Sequence, residues 1–272
     1  MSNICYISAF YDTNRENWPT FSRTFKDYID DFSPYLDLFN SDQDKEQYMI
    51  LFIDKKYTTY IKNIIQNTPN TRIYLIEIDN DWMTINLPIW KTLEKERSIM
   101  QSQQYKDLIC HRNHCPETYI PEYTIINHCK IDFVCYVIDN NLSTSDIFAW
   151  TDFGFFKNKT LIPKRLIDYR KVDINKVNFM LLNYFEENDK DIIYTLKNAP
   201  ERIGGFFFCG GKECLKQYQK IYHNTLNFFQ NDLKIADDDQ AIVQACYFKE
   251  PSLFKLYHTE GLWHLSYIIF QK

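Results

Sequence analysis

Trp150-Thr151-Asp152-Phe153-Gly154 ends an apolar, strand-like run on a carboxylate and follows it with a glycine. In an open α/β sheet, ligands bind beyond the carboxyl ends of the strands. An aspartate placed there has the chemistry to ligate Mg²⁺ or Mn²⁺ and, through the ion, phosphate oxygens. Gly154 lets backbone approach a ligand closely. An aspartate that only satisfies a turn fits the same pattern. His258, after the apolar run 253–257, is a second candidate metal ligand, because imidazole suits Mn²⁺ better than Mg²⁺. His264, six residues on, could face a phosphate, and an ordinary packed or surface histidine is the alternative for both.

Asp237-Asp238-Asp239-Gln240 stands before the apolar helical run Ala241-Ile242-Val243. Helix capping and the macrodipole account for one or two of these carboxylates. A third in succession adds repulsion without a capping role, so Asp239 is a candidate catalytic base or sugar-orienting carboxylate, with Gln240 beside it. Arg15, with Asp12 and Asn14, follows the first apolar run, in the loop that touches base, ribose or phosphate in nucleotide-binding α/β folds. Cys110-His111-Arg112-Asn113-His114-Cys115 has the residue types of a zinc cluster but lacks a partner pair at the usual spacing. It reads as the end of a helix and its loop. No P-loop, dinucleotide fingerprint or serine nucleophile elbow is present.

The six glycines fall in three short segments, at Gly154, from Gly204 to Gly211, and at Gly261. Either these are the tightest turns, or three loops converge on a ligand. The aromatics at 153–156 and 206–208 could stack on sugar rings, but core packing is the ordinary use of each.

The elements that would position these residues alternate along the chain. Strands are expected at 4–11, 48–54, 71–77, 146–151, 177–185, 191–194 and 203–209. Helices are expected at 19–29 (Phe21, Phe25 and Ile29 on one face), 57–65, 87–108 as one long charged helix, 213–229 and 239–246. Pro121 is placed to open a further helix that turns Ile125, Ile126, Cys129, Phe133, Tyr136 and Val137 inward. The tail 253–270 reads as strand, loop, strand. Such alternation predicts an α/β fold with a largely parallel sheet. With no repeat and no Pro-, Gly- or Ser-rich linker, one domain over 1–272 is expected.

The formal net charge is −5 and Lys and Arg are scattered, so the electrostatic footprint of a nucleic-acid binder is missing. No apolar run approaches the ~18 residues of a membrane span, and the first residues lack the pattern of a signal peptide. A soluble cytoplasmic protein is expected. Its eight cysteines then read as mostly buried free thiols rather than disulfides. The bias towards Asn, Ile, Lys, Tyr, Phe and Asp suits an AT-rich coding genome.

Several blocks together resemble the HtrL/YibB-like family. They are Ser8-Ala9-Phe10-Tyr11-Asp12-Thr13-Asn14-Arg15, the stretch from Tyr119 to Lys130, Phe148 to Gly154, Gly204 to Gly211, and Asp238-Asp239-Gln240. That family is similar to A-type (GT-A) glycosyltransferases. The resemblance implies a GT-A-like single domain with a Rossmann-like, mostly parallel central sheet flanked by helices and a smaller mixed sheet on the acceptor side. About 1–155 would be the nucleotide-sugar-binding half and about 156–272 the acceptor half. With the composition, it also points to a giant-virus member.

The resemblance further implies a metal-dependent hexosyl transfer, with Mn²⁺ or Mg²⁺, from a UDP-sugar to a glycan or glycoprotein acceptor. Ala9, Phe10, Tyr11, Asp12 and Arg15 would form the nucleotide pocket, and Asn127 and Lys130 would face the donor sugar or its phosphates. Asp152, flanked by Trp150, Thr151 and Gly154, would bind the metal together with His258, followed by Gly261. Lys130, Asp239 and Gln240 would be the catalytic group. This chain departs from the pattern in having one carboxylate at the metal motif and His264 where a lysine is usual, which is only partly charged at neutral pH. A non-catalytic, glycan-binding or structural descendant is the alternative. A two-metal phosphoesterase would need more clustered Asp and His than the chain offers.

Overall fold

Residues 4–10 are apolar at almost every position, the pattern of a strand covered on both faces. In the computed structural model, which describes residues 3–41, 47–68, 72–157, 162–163, 165–261 and 270, they form the centre of a seven-stranded sheet. The strands are β1 (Ile4–Phe10), β2 (Tyr48–Asp54), β3 (Ile73–Ile78), β4 (Ile147–Thr151), β5 (Val177–Leu181), β6 (Ile203–Gly211) and β7 (Phe254–His258). Their order is β3-β2-β1-β4-β6-β5-β7. Every neighbouring pair is parallel except the two that β6 makes, antiparallel to β4 and β5.

Two consequences position the site. All strands but β6 end at one edge of the sheet. The chain also builds outward from β1 to β3 and then returns to place β4 on the other side of β1, so the strand order reverses between β1 and β4. Ligands of open α/β sheets bind in the crevice at such a point. Among the described residues the expected smaller mixed sheet is not separate: the mixed pairing is the β6-β5-β7 end of this one sheet.

Side chains alternate between two cores. Ile4 and Tyr6 of β1 join Met49 and Leu51 of β2 against α1 (Phe25–Ser41) and α2 (Thr58–Gln66). Cys5, Ile7, Ile50 and Phe52 face the other core. That second layer holds α3 (Asn80–Asn86), α4 (Leu93–Gln101), α5 (Gln103–Leu108), α6 (Pro121–His128), α7 (Lys130–Asp139), α8 (Ile192–Asn198), α9 (Lys212–Phe228) and α10 (Asp239–Lys249).

Local hydrogen bonding moved several expected boundaries. The helix expected at 19–29 begins only at Phe25, because Thr24 and Asp27 cap each other's backbone N–H at 3.2 and 2.8 Å. Phe21 lies outside it, exposed and at φ 56°. The long helix expected at 87–108 breaks at Ser102, which is extended and caps α5 by accepting from the Tyr105 N–H. Residues 191–194 are not a strand. The Asp191 side chain accepts from the N–H groups of Ile193 and Tyr194 and starts α8. The helix opened by Pro121 is interrupted at Cys129, yet Ile125, Cys129, Phe133 and Val137 are all fully buried as expected. The second strand of the expected tail falls mostly on residues outside those described.

All eight cysteines are free and six are buried. Among the described residues, no helix is long and apolar enough to cross a membrane.

Candidate functional site

Lys130 is the first residue of α7, and its side chain runs through the protein interior to the carboxyl end of β4. Its Nζ lies 3.0 Å from Asp152 Oδ1, 2.9 Å from Asp239 Oδ2 and 2.9 Å from the Gly205 carbonyl oxygen. An ammonium has three protons, and here each has one acceptor. Burial disfavours the charged lysine, but the two carboxylates outweigh it and hold its pKa above the ordinary value. Lys130 is therefore a cation at any physiological pH.

Asp152 directly follows β4. Its backbone N–H donates to the Phe206 carbonyl at 3.0 Å, and its Oδ1 also accepts the Trp150 indole N–H at 2.8 Å. Desolvation raises its pKa and Asp239 adds to this, while Lys130 pulls the other way. Its side chain is 36% exposed against 9% for Asp239, so the network opens to solvent at Asp152.

The backbone at Gly205 makes room for Asp239. The β5–β6 register jumps from Phe179–Phe208 to Met180–Gly204, which bulges residues 205–207 out of the ladder. A Cβ on Gly205 would lie 2.3 Å from Asp239 Oδ2, well inside contact distance.

The three consecutive aspartates have three different partners. Asp237 pairs with Arg112 at 3.2 Å, Asp238 caps α10 by accepting from the Gln240 N–H, and Asp239 reaches Lys130. Burial pushes the Asp237 carboxyl up to about 6 against the pull of Arg112. Burial and the repulsion of Asp237 and Asp239 push Asp238 well above the carboxylate range. Capping therefore explains Asp238, and Asp239 is the member that reaches the site.

The loop after β1 lies across the switch point. Asp12 accepts from the Asn14 N–H, Lys56 Nζ and Tyr57 hydroxyl at 2.9, 2.7 and 2.8 Å. Burial opposes its charge, but these bonds leave its pKa below the ordinary value. Arg15 donates to the Phe21 carbonyl and the Tyr28 hydroxyl and lies 5.0 Å over the Trp18 ring. Desolvation, then the charges of Arg23 and Arg15, lower the pKa of Lys157, while Asp152 raises it. Lys157 thus feels the charges of Arg23, Arg15 and Asp152 together, so these cations lie on the side of Asp152 that faces the β1 loop.

The family model described as "Bacterial protein of unknown function (HtrL_YibB)" matches residues 2–272. The chain belongs to the HtrL_YibB family. It is 26% identical over 267 residues to Protein HtrL of Escherichia coli (strain K12), covering 96% of this chain and 90% of the relative. These matches are bacterial and give no support to a viral source. Its fold is similar to that of mouse xyloside xylosyltransferase 1 in the apo form, with a TM-score of 0.50 at 8% identity over 94% of this chain and 85% of that one. At that identity the likeness concerns the fold.

Within this HtrL_YibB chain, Lys130, Asp152 and Asp239 are the expected site residues whose side chains meet. Asn127 lines the same small cavity, with its amide N–H donating to the Tyr123 carbonyl one turn back. Gln240 does not join them: it lines a separate polar pocket with Asp238, Glu201 and Gln244. Other expected residues act from inside the protein. The rings of Phe10 and Trp150 are buried, Phe10 among Phe25, Tyr28, Tyr57 and Phe153, and Trp150 against Phe133. Thr151 is fully buried and bonded to Tyr35. These side chains position the backbone and Asp152 rather than face solvent. Ala9 and Tyr11 are half-buried, with Tyr11 edge-on to Trp90. Gly154 packs against the Arg23 guanidinium. The aromatics 153, 155, 156 and 206–208 are core.

His258 ends β7 at the same sheet edge as Asp152, but β6 and β5 lie between their strands, and its ring stacks on Tyr184 at 4.0 Å. Among the described residues, no group of three or more His, Cys, Asp or Glu could hold a metal. That holds for Cys110–Cys115 too, where Arg112 pairs with Asp237 and Glu117. As placed, Asp152 is a single carboxylate whose Oδ1 is already bonded to Lys130 and Trp150, so the described residues do not by themselves hold a resident metal ion. Gly261, at φ 75°, donates its N–H to the Leu182 carbonyl and ties the loop after β7 to that after β5. His264 lies outside the described residues.

Proposed function

We propose that this protein is a glycosyltransferase that moves a hexosyl group from a nucleotide diphosphate sugar, a UDP-sugar, to a hydroxyl of a glycan or glycoprotein acceptor. The observation that carries the reading is the buried Lys130 ammonium held between Asp152 and Asp239 at the strand-order switch of a fold shared with a xylosyltransferase.

In this reaction the bond from the sugar's anomeric carbon to the diphosphate breaks, and negative charge develops on the leaving phosphates. Arg15 and Lys157 would stabilise that charge, a kind of stabilisation worth several kcal/mol in a desolvated site, while Lys130 holds the two carboxylates in place. Asp152 would be the protein ligand of a Mn²⁺ or Mg²⁺ that arrives with the phosphates and would add Lewis-acid neutralisation, whereas His258, with two strands between its own and that of Asp152, would not share the ion. Asp239 is fixed by Lys130 and orients sugar hydroxyls. An inverting reaction would add the role of base to Asp239.

A second reading is a glycan-binding descendant without catalysis. It is favoured by the commitment of both carboxylates to Lys130 and by the stacking of His258 on Tyr184. A donor-hydrolysis screen separates the two. Wild type and Asp152→Asn are incubated with a panel of UDP-sugars and Mn²⁺, and free UDP is measured. Release by wild type alone supports the transferase. Binding of donor without release across the panel supports the descendant.

A further inference from the structure

Two buried polar groups to which the reaction gives no role face each other behind the site. Glu96, in the first turn of α4, and His128, the last residue of α6, are both fully buried. Glu96 Oε1 lies 4.0 Å from His128 Nε2, and among the described residues neither atom has a partner in hydrogen-bonding geometry. The Thr124 hydroxyl and the Asp237 carbonyl are their other polar neighbours.

The outer bonds of this pair lead to the site. Glu96 Oε2 accepts the Gln230 amide N–H at 2.8 Å, and Gln230 sits in a π-helical turn, Phe229–Leu233, a feature found mostly where a helix is adapted to function. His128 Nδ1 is bonded to the Tyr222 hydroxyl at 2.7 Å. Tyr222 and His128 also line the cavity that Lys130, Gly205 and Asp239 line, whose volume of about 10 Å³ is the room one water needs. The other titratable groups acting on the pair are Asp237, Lys130 and Tyr105, and Asp239 acts on Tyr222.

Two bare lone pairs facing each other in a dry site are costly, so one proton belongs between Oε1 and Nε2. A neutral imidazole carries its proton on one nitrogen and accepts on the other. When Glu96 is protonated, it donates to a bare Nε2. His128 then carries its proton on Nδ1 and donates to the Tyr222 oxygen, which leaves the Tyr222 O–H to point into the cavity as a donor. When Glu96 is ionised, the imidazole proton sits on Nε2 and faces the carboxylate. Nδ1 is then bare and takes the Tyr222 O–H, so Tyr222 offers the cavity only an acceptor. The net change is one proton released to solvent.

We propose that Glu96, His128 and Tyr222 are positioning residues of the Lys130–Asp239 site: the proton on Glu96 selects the His128 tautomer, and the tautomer decides whether Tyr222 presents a donor or an acceptor to Asp239. Burial puts the Glu96 change near neutral pH, at about 7, while His128, held down at about 3, stays neutral throughout. The tautomer relay stands on these contacts alone, and its effect on turnover rests on the transferase reading.

Nitrogen NMR of the full chain labelled at its histidine nitrogens, where bare and protonated ring nitrogens give separate signals, tests this without any ligand. The His128 signals are those of a ring that remains neutral at about pH 5, well below the ordinary histidine pKa. As pH rises through about 7, they should change from Nδ1–H to Nε2–H with no charged form between. In Glu96→Gln one tautomer should persist across the range. A single wild-type tautomer from about pH 5 to about 9, or a change that survives in Glu96→Gln, would overturn the proposal. In UDP binding, Glu96→Gln and Tyr222→Phe should each remove the same step near pH 7, a change of about three- to tenfold in affinity. A step kept by either variant would overturn the link to Asp239. Because the tautomer is read without nucleotide, a failure of the transferase reading appears separately, as absent UDP binding.

Discussion

Asp239 reaches Lys130 only because residue 205 is glycine. The position of a Cβ there, 2.3 Å from Asp239 Oδ2, is incompatible with the carboxylate where it stands. Gly205→Ala should therefore displace Asp239, cost about 1–3 kcal/mol of stability through overpacking, and lower donor turnover or binding at least tenfold. Gly154→Ala is the comparison. Its Cβ would meet only the end of the Arg23 side chain, at 2.6 Å, which can move aside. Chemical denaturation together with nucleotide binding checks both. Equal effects of the two substitutions would contradict the role given to Gly205.

Removing the lysine should be worse than removing its partner. Lys130→Met leaves Asp152 and Asp239 facing each other without a cation, and breaking a buried pair in this way costs about 3–5 kcal/mol. Adding Asp239→Asn to Lys130→Met should recover part of that stability but none of the nucleotide-sugar chemistry. A double-mutant cycle by urea denaturation measures this. Additive losses would mean that the two side chains do not interact.

Behind the aspartate triplet, two buried groups titrate in opposite senses. Burial holds the Glu96 carboxyl up at about 7 from 4.5, and burial holds His128 down at about 3 from 6.5. The raised carboxyl stabilises the fold below about pH 4.5, and that contribution is lost as pH rises to about 7. The lowered histidine stabilises the fold above about pH 6.5, and its contribution is lost as pH falls to about 3. Between 4.5 and 6.5 the two slopes oppose each other. Glu96→Gln removes the carboxyl and keeps the shape of the side chain whose Oε1 lies 4.0 Å from His128 Nε2. The stability of the variant relative to wild type should then rise by about 1.4 kcal/mol per pH unit from pH 4.5 to about 7. Denaturant midpoints across that range check it, and a flat difference would contradict the assignment.

The parallel half of the sheet was readable because β1, β2 and β4 are short apolar runs ending in polar loops, and a buried parallel strand has no other simple pattern. What the sequence concealed was set by single polar side chains. Thr24, Ser102 and Asp191 each start a helix by capping, inside stretches whose apolar spacing suggested something else. In the site, Asp152 and Asp239 stood out as carboxylates at a strand end and in a run too acidic for capping alone. Lys130 came from the family resemblance, since one lysine at a helix start carries no signal of its own. Arg112 was hidden in a segment that looked like a zinc cluster. Its guanidinium instead bonds to the Leu196 carbonyl, Glu117 and Asp237, contacts separated by as many as 125 residues in the chain. Gly205 was visible as a rare glycine, but its bulge depends on a register that only the folded sheet defines.

Calorimetric titration of UDP into the purified protein, with and without Mn²⁺ and alongside Asp152→Asn, tests the nucleotide-sugar reading most directly. The prediction is micromolar binding that needs Mn²⁺ and disappears in the variant. No binding of UDP by wild type in either condition would contradict it.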